Sequence, residues 1–327
     1  MDKRLERILP RVQKPARYVG GEYNAVVKDL SQVDTRIAFC FPDTYEIGMS
    51  NLGMRILYGV MNEMPGVWCE RVFAPWGDME EEMRAAHMPL FALESGDAIT
   101  HFDIVAFSVG YEMAFPAILN MLDLAGIPLH SAERTELTPL VIAGGTAMFN
   151  CEPIADFIDI AEIGEGEEMN AELIELHRRA RREGWTKQQF LRAAAQLDGI
   201  YVPGLYEVDY NADGTVKSIT PKDGAPKVVT IKTDVTKYEE VRFSILRVMQ
   251  EYGQLDLMFA NAGIATAGWV YNHPPQDWAW AMNTNVLGLT YYVHEVLPIF
   301  KQQGTPCHFL FTASIAGLIT GLRYNTA

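Results

Sequence analysis

Short apolar runs alternate with amphipathic stretches through residues 35–200, and this alternation restricts the fold more than any other feature of the chain. The runs RIAFCF (36–41), VWCERVF (67–73), DIVAFSVG (103–110), PLVIAGG (139–145) and FIDIAEIG (157–164) are rich in branched and aromatic residues. They lack an apolar/polar alternation, as strands buried on both faces do. Between them lie helical patterns: MSNLGMRILYGVMNEM, WGDMEEEMRAAH, MAFPAILNMLDLAG and EGEEMNAELIELHRRARR. Successive strand–helix units predict an α/β fold with a doubly wound parallel sheet, which takes ligands beyond the carboxyl ends of its strands.

Residues 1–34 read as a polar arm laid over this domain, and a helix over 186–197 follows it. YEVDYNADGTVKSITP then alternates around NADG, so 201–226 is expected to be a β-hairpin linker. The pattern restarts at residue 227. KVVTIKTDV is predicted as a strand, TKYEEVRFSILRVMQEYG as a helix with Thr236 at its N-cap, and QLDLMFANAG as a strand entering a loop. A long helix (276–303) and the strand HFLFTAS complete a partial Rossmann-type segment, 227–327.

Composition narrows the function. With 327 residues, 49% hydrophobic and 21% charged, the chain is long enough for two folded domains. A net charge of −15 argues against nucleic acid or an anionic membrane as partner, since both need clustered cations. The basic run HRRARR reads as the solvated end of a helix. Cys40, Cys69, Cys151 and Cys307 lie far apart without a CxxC pair, which implies a reducing, cytoplasmic setting and no zinc or iron–sulfur site.

The first predicted strand runs into FPDTYEIGMSNLG. Asp43 and Gly48 could simply make the turn, with Ser50 or Asn51 capping the next helix. The later run IAGGTAMFNCEPIADFIDIAEIGEGEEM adds paired glycines and a GEGEE turn. Together these stretches resemble the cobalamin-binding domains that precede radical S-adenosylmethionine (SAM) enzymes, and ILPRVQKPARYVGGEYNAVVKD resembles the N-terminal domain of an uncharacterised branch of that group. The resemblance covers residues 7–226. It implies a flavodoxin-like fold and a corrinoid edge formed by Asp43, Tyr45, Gly48, Ser108, Gly144, Gly145, Gly164 and Gly166. Tyr45 stands where such domains place the cobalt-ligating histidine, and a phenol is a poor metal ligand. Cobalamin would bind without His ligation, or the domain keeps the fold and binds nothing. The CxxxCxxC motif of a radical SAM cluster does not occur, so no iron–sulfur cluster is expected in this chain.

From VVTIKTDVT onward the chain resembles short-chain dehydrogenases/reductases instead. The resemblance assigns Asp234 to the adenine ring, Asn261 and Gly263 to the NAG loop beside the cofactor, Asn285 to a water-positioning role and Ser314 to the substrate carbonyl. In that family a YxxxK tyrosine serves as general acid/base and a TGxxxGxG turn carries the pyrophosphate of NAD(P). Neither motif occurs: Tyr324 is ten residues after Ser314, short for the role, and no lysine follows. The expectation is a chimera joined near 226–232, an accessory cobalamin-binding-like domain on a truncated dehydrogenase segment, turning over by neither chemistry. Two alternatives stay open. One is a free-standing module for a corrinoid or another small-molecule ligand. The other is an NAD(P)-dependent oxidoreductase, whose one candidate phosphate turn carries the repelling Glu165, Glu167 and Glu168.

Overall fold

The structure is a computed structural model that describes residues 2–222, 225–266 and 270–313. The chain divides into two compact units, Met1–Val228 and Val229–Ala327.

The first unit is a twisted sheet in the order β2-β1-β3-β4-β5-β6. Its strands are β1 (Thr35–Phe41), β2 (Val67–Phe73), β3 (Ile104–Ser108), β4 (Leu140–Gly144), β5 (Ile160–Glu162) and β6 (Ile200–Tyr201). The first five are parallel, as the unbroken apolar runs predict, and β6 joins antiparallel to β5. The order 2-1-3-4-5 is the flavodoxin-like form of the doubly wound sheet, whose ligand crevice opens where neighbouring connections diverge, between β1 and β3.

Alternate residues of each strand serve opposite cores. Ala38, Cys40, Val105, Phe107, Val141 and Ala143 pack on α4 (Gly77–Ala85) and α5 (Phe115–Ala125). Ile37, Phe39, Ile104, Ala106, Ile142 and Ile160 pack on α3 (Leu52–Glu63), α6 (Gly166–Glu183) and α7 (Lys187–Ala194). Local sequence starts these helices where the sheet needs them. The Asn51 side chain accepts the Met54 N–H to cap α3, and Thr186 and Gln189 form a capping box for α7.

The N-terminal arm contributes α1 (Lys3–Ile8), whose Leu5 and Ile8 enter the α4/α5-side core. Further along, Trp68 Nε1 donates to Val26 O at 2.9 Å and Val26 N–H donates to Tyr58 Oη at 2.7 Å. The arm thus lies along edge strand β2, the kind of exposed edge that proteins cover. The hairpin β7 (Tyr206–Tyr210) and β8 (Val216–Pro221) forms as predicted, with Leu205 and Tyr206 in the core of this unit.

The second unit holds α8 (Tyr238–Tyr252), β9 (Leu257–Ala260), α9 (Pro275–Met282), α10 (Gly288–Gln303) and β10 (His308–Phe311), with β9 and β10 paired in parallel. Three expectations are corrected here. Residues 226–234 run as coil, not as a strand. Among the described residues no strand pairs with KVVTIKTDV, and an extended segment persists as a strand only through the ladder of a neighbour. Thr236 is not the N-cap of α8: Lys237 stands there without a side-chain cap, and Thr236 instead donates from N and Oγ1 to Asp234 Oδ1 at 3.0 and 2.7 Å. The helix expected over 276–303 is interrupted by a π-turn, Asn283–Leu287, between α9 and α10.

Candidate functional site

At the carboxyl end of β1 the chain turns through Pro42 and Asp43 into α2 (Tyr45–Ser50). Asp43 Oδ1 accepts the Thr44 N–H at 2.6 Å, and its Oδ2 accepts the Tyr111 hydroxyl at 2.6 Å. That bond holds the Tyr111 phenol above its ordinary range. Both residues line an open cleft of ≈ 590 Å³ on the α4/α5 side, with Trp76, Gly77, Met113 and Ala114. Trp76, Tyr111 and Met113 are exposed, an unusual cluster of large apolar side chains around one carboxylate. Sequence reasoning found Asp43 and missed Trp76 and Tyr111. Their signal was position alone: each follows the carboxyl end of a predicted strand.

On the opposite face, Ser108, Gly144 and Glu162 stand in register across β3, β4 and β5. Gly144 makes room for its neighbour: a Cβ there would lie 3.2 Å from Glu162 Oε2. Glu162 is 7% exposed, its Oε1 has no hydrogen-bond partner, and burial pushes its pKa up to about 7. An acid in the apolar stretch IAEIG, second after Asp159 in FIDIAEIG, was the legible signal for it. Gly145 has φ 104°, and a Cβ would meet Val109 O at 2.6 Å, so the paired glycines serve a tight turn against β3. Gly164 also has positive φ, while Gly166 lets α6 approach Leu57 of α3.

Two further residues of the expected corrinoid edge are engaged elsewhere. The Tyr45 hydroxyl donates to Glu22 Oε1 at 3.0 Å, and its ring packs edge-on against Phe73 at 5.4 Å. Glu22 also accepts Arg71 Nη2 at 2.8 Å, which ties the arm to β2. Gly48 faces the core: an added Cβ would come 2.2 Å from the Phe73 ring. With Tyr45 turned to the arm and Glu162 over Gly144, these residues do not fit a His-ligated corrinoid with its nucleotide tail between the strands. Among the described residues no group of His, Cys, Asp and Glu could hold a metal ion.

In the second unit the NAG loop and the π-turn meet. Asn285 Oδ1 accepts the Ile264 N–H at 2.9 Å and its Nδ2 donates to Ile264 O at 2.9 Å. Gly263 lies beside it, its Cβ position 3.7 Å from Asn285 Oδ1. Asn261 Oδ1 accepts the Thr312 hydroxyl beyond β10. Gly288 allows α10 to approach the Val235 backbone, where a Cβ would sit 2.9 Å from the carbonyl oxygen. Asn261, Asn285, Gly288 and Val235 surround a cavity of ≈ 110 Å³, well under the few hundred Å³ of an ordinary ligand pocket. Asp234 is exposed, its carboxylate held below the usual range by the Thr236 hydroxyl. This volume, and the absence of TGxxxGxG from the sequence, do not fit a complete dinucleotide site. Ser314 lies outside the described residues.

Residues 53–203 match the family described as radical SAM proteins, N-terminal, and residues 204–326 match short chain dehydrogenase. The second match begins before the hairpin that packs in the first unit. Among curated proteins, the CLA biosynthesis dehydrogenase/reductase of Lactiplantibacillus plantarum is 38% identical over 97 residues, 30% of this chain and 34% of that protein. An uncharacterized oxidoreductase of Staphylococcus saprophyticus is 30% identical over 102 residues, 31% of this chain and 41% of that protein. This chain therefore spans well under half the length of either. Among solved structures, a short chain dehydrogenase/reductase from Burkholderia phymatum in complex with NAD is 22% identical, with a TM-score of 0.30 over 58% of this chain and 44% of that one. ElxO with NADP bound is 30% identical, with a TM-score of 0.26 over 28% and 36% of the two chains. The chain thus carries, in tandem, an N-terminal domain of the radical SAM type and a short-chain dehydrogenase segment.

Proposed function

We propose that the first unit is a ligand-binding accessory module, and that the second is a scaffold segment without hydride-transfer capacity of its own. The observation that carries this is the cleft at the β1/β3 switch point, where Asp43 sits among Trp76, Tyr111 and Met113. Aromatic walls favour a planar ligand. A lone carboxylate as the charged group, in a chain of net charge −15, favours a neutral or cationic hydrogen-bond donor over an anion. An aminated heteroaromatic such as a nucleoside base meets both demands and is small enough for a cleft of ≈ 590 Å³. The same acidic balance leaves nucleic acid and anionic membranes out of this reading, and among the described residues no helix is long and apolar enough to cross a membrane.

For NAD(P), the Asn285–Ile264 clamp supports an ordered loop beside the position a cofactor would take, whereas the phosphate turn has no counterpart. The second unit is accordingly read as a chimeric, incomplete partner to the first. Calorimetric titration of the full chain with adenosine, AMP and aquacobalamin tests the proposal. Saturable adenosine binding, weakened in AMP and lost in Trp76→Ala, is expected. A shifted visible band of aquacobalamin, or no adenosine binding, would overturn it.

A further inference from the structure

Away from the carboxyl edge, the first unit contains a second cavity, of ≈ 770 Å³, at the amino end of β5. Its floor holds Asp159, Lys187 and Arg134, exposed by 1%, 4% and 7%. Asp159 is saturated. Its Oδ1 accepts Lys187 Nζ at 2.8 Å, Arg134 Nη2 at 3.1 Å and the Ser131 hydroxyl, and its Oδ2 accepts the Val141 N–H at 2.8 Å. The remaining Arg134 amino donors go to the carbonyls of Pro128, Leu129 and Phe157, and its buried Nε has no partner. Two cations therefore share one carboxylate, a formal surplus of positive charge in the interior. Backbone carbonyls orient such charges without cancelling them. Burial accordingly draws the Lys187 ammonium below its ordinary range.

The walls differ from the floor. Tyr201 and Tyr206 stack with ring centroids 5.1 Å apart and 27° between planes, and Leu191 and Leu205 extend the apolar lining. At the rim, Glu133, Glu152 and Asp156 outnumber Lys222. We propose that this cavity binds a planar aromatic monocarboxylate, with its carboxylate toward Arg134 and Lys187 and its ring against Tyr201 and Tyr206. A buried charge surplus is costly until a counter-ion arrives, and the Lys187 ammonium, with two of its three donors spent on Arg134 O at 2.7 Å and Asp159 Oδ1 at 2.8 Å, keeps one for a carboxylate that would also lie near the Arg134 charge. Tyrosine faces add stacking for a flat ring. The rim acids select against a second anionic group at the far end.

The test titrates the full chain with benzoate, its neutral isostere benzamide, and the dianion terephthalate, followed by calorimetry. Saturable benzoate binding is expected, with benzamide weaker by about tenfold or more and terephthalate no better than benzoate. Lys187→Met should abolish benzoate binding, but it uncovers Asp159 and can unfold the chain. Asp156→Lys, at an exposed position, carries the test without that risk: it should bring terephthalate to at least the affinity of benzoate. Absence of benzoate binding, equal affinity for benzoate and benzamide, or a terephthalate affinity unmoved by Asp156→Lys would each overturn the proposal.

Discussion

Asn285 and Ile264 hold each other by a reciprocal pair of hydrogen bonds, side-chain amide against main-chain amide, both 2.9 Å long. The π-turn Asn283–Leu287 carries Asn285 in an otherwise helical run, and such one-turn widenings often mark functional positions. Asn285→Leu removes a donor and an acceptor and should destabilise the second unit by about 1–2 kcal/mol. Hydrogen exchange read at residues 262–266 checks this. Unchanged protection there would show that the clamp contributes nothing to the loop.

Two glycines of the first unit should respond in opposite directions to alanine. A methyl at Gly48 meets the Phe73 ring at 2.2 Å, so Gly48→Ala should cost about 1–3 kcal/mol by overpacking. Gly59, within α3, has nothing within 4 Å of its Cβ position. Gly59→Ala should stabilise by about 0.5–1 kcal/mol, through lower backbone entropy in the unfolded chain. Urea midpoints of the two variants decide the matter. A harmless Gly48→Ala would return that glycine to the role of ligand approach.

The Glu162 carboxyl titrates at about 7 in the folded chain, against 4.5 for an unperturbed glutamate, because burial disfavours its charged form. Between those values the unfolded state has released a proton that the folded state keeps, so stability falls as pH rises through the window. Glu162→Gln should remove that slope. Relative to wild type it should gain up to about 3 kcal/mol between pH 4.5 and 7.5. Urea unfolding at a series of pH values gives the measurement, and parallel curves for the two proteins would refute the assignment.

His177 carries the reverse dependence. It is fully buried on α6, neither ring nitrogen has a partner, and burial pushes its pKa down to about 4 from 6.5. The unfolded state therefore takes up the proton first, and stability is lost as pH falls from 6.5 toward 4. His177→Leu forfeits no hydrogen bond and should flatten that acid limb without loss at pH 7. An acid midpoint unchanged in the variant would argue against it.

Much of the first unit was legible because its signals are local. Unbroken apolar runs specify strands covered on both faces, the intervening periodicity specifies the covering helices, and NADG specifies the hairpin. The two family resemblances were legible as well, since each rests on residues close together in sequence. The site was less so. Asp43 was found, but its partners Trp76 and Tyr111 come from other crossovers and meet it only when β1 is flanked by β2 and β3.

Position at a strand end is a property of sequence; the direction of a side chain is set by what packs around it. Tyr45 and Gly48 sit in the loop where a cofactor contact was expected, yet the Glu22–Arg71 bridge and the Phe73 ring claim them. KVVTIKTDV has strand composition and remains coil, because a strand is stable only through the ladder of a neighbour. The sequence by itself determined the order of strands and helices, the acidic balance and the tandem of two families. Tertiary structure decided which of the marked residues meet, since burial, pairing and charge compensation depend on residues far apart in the chain.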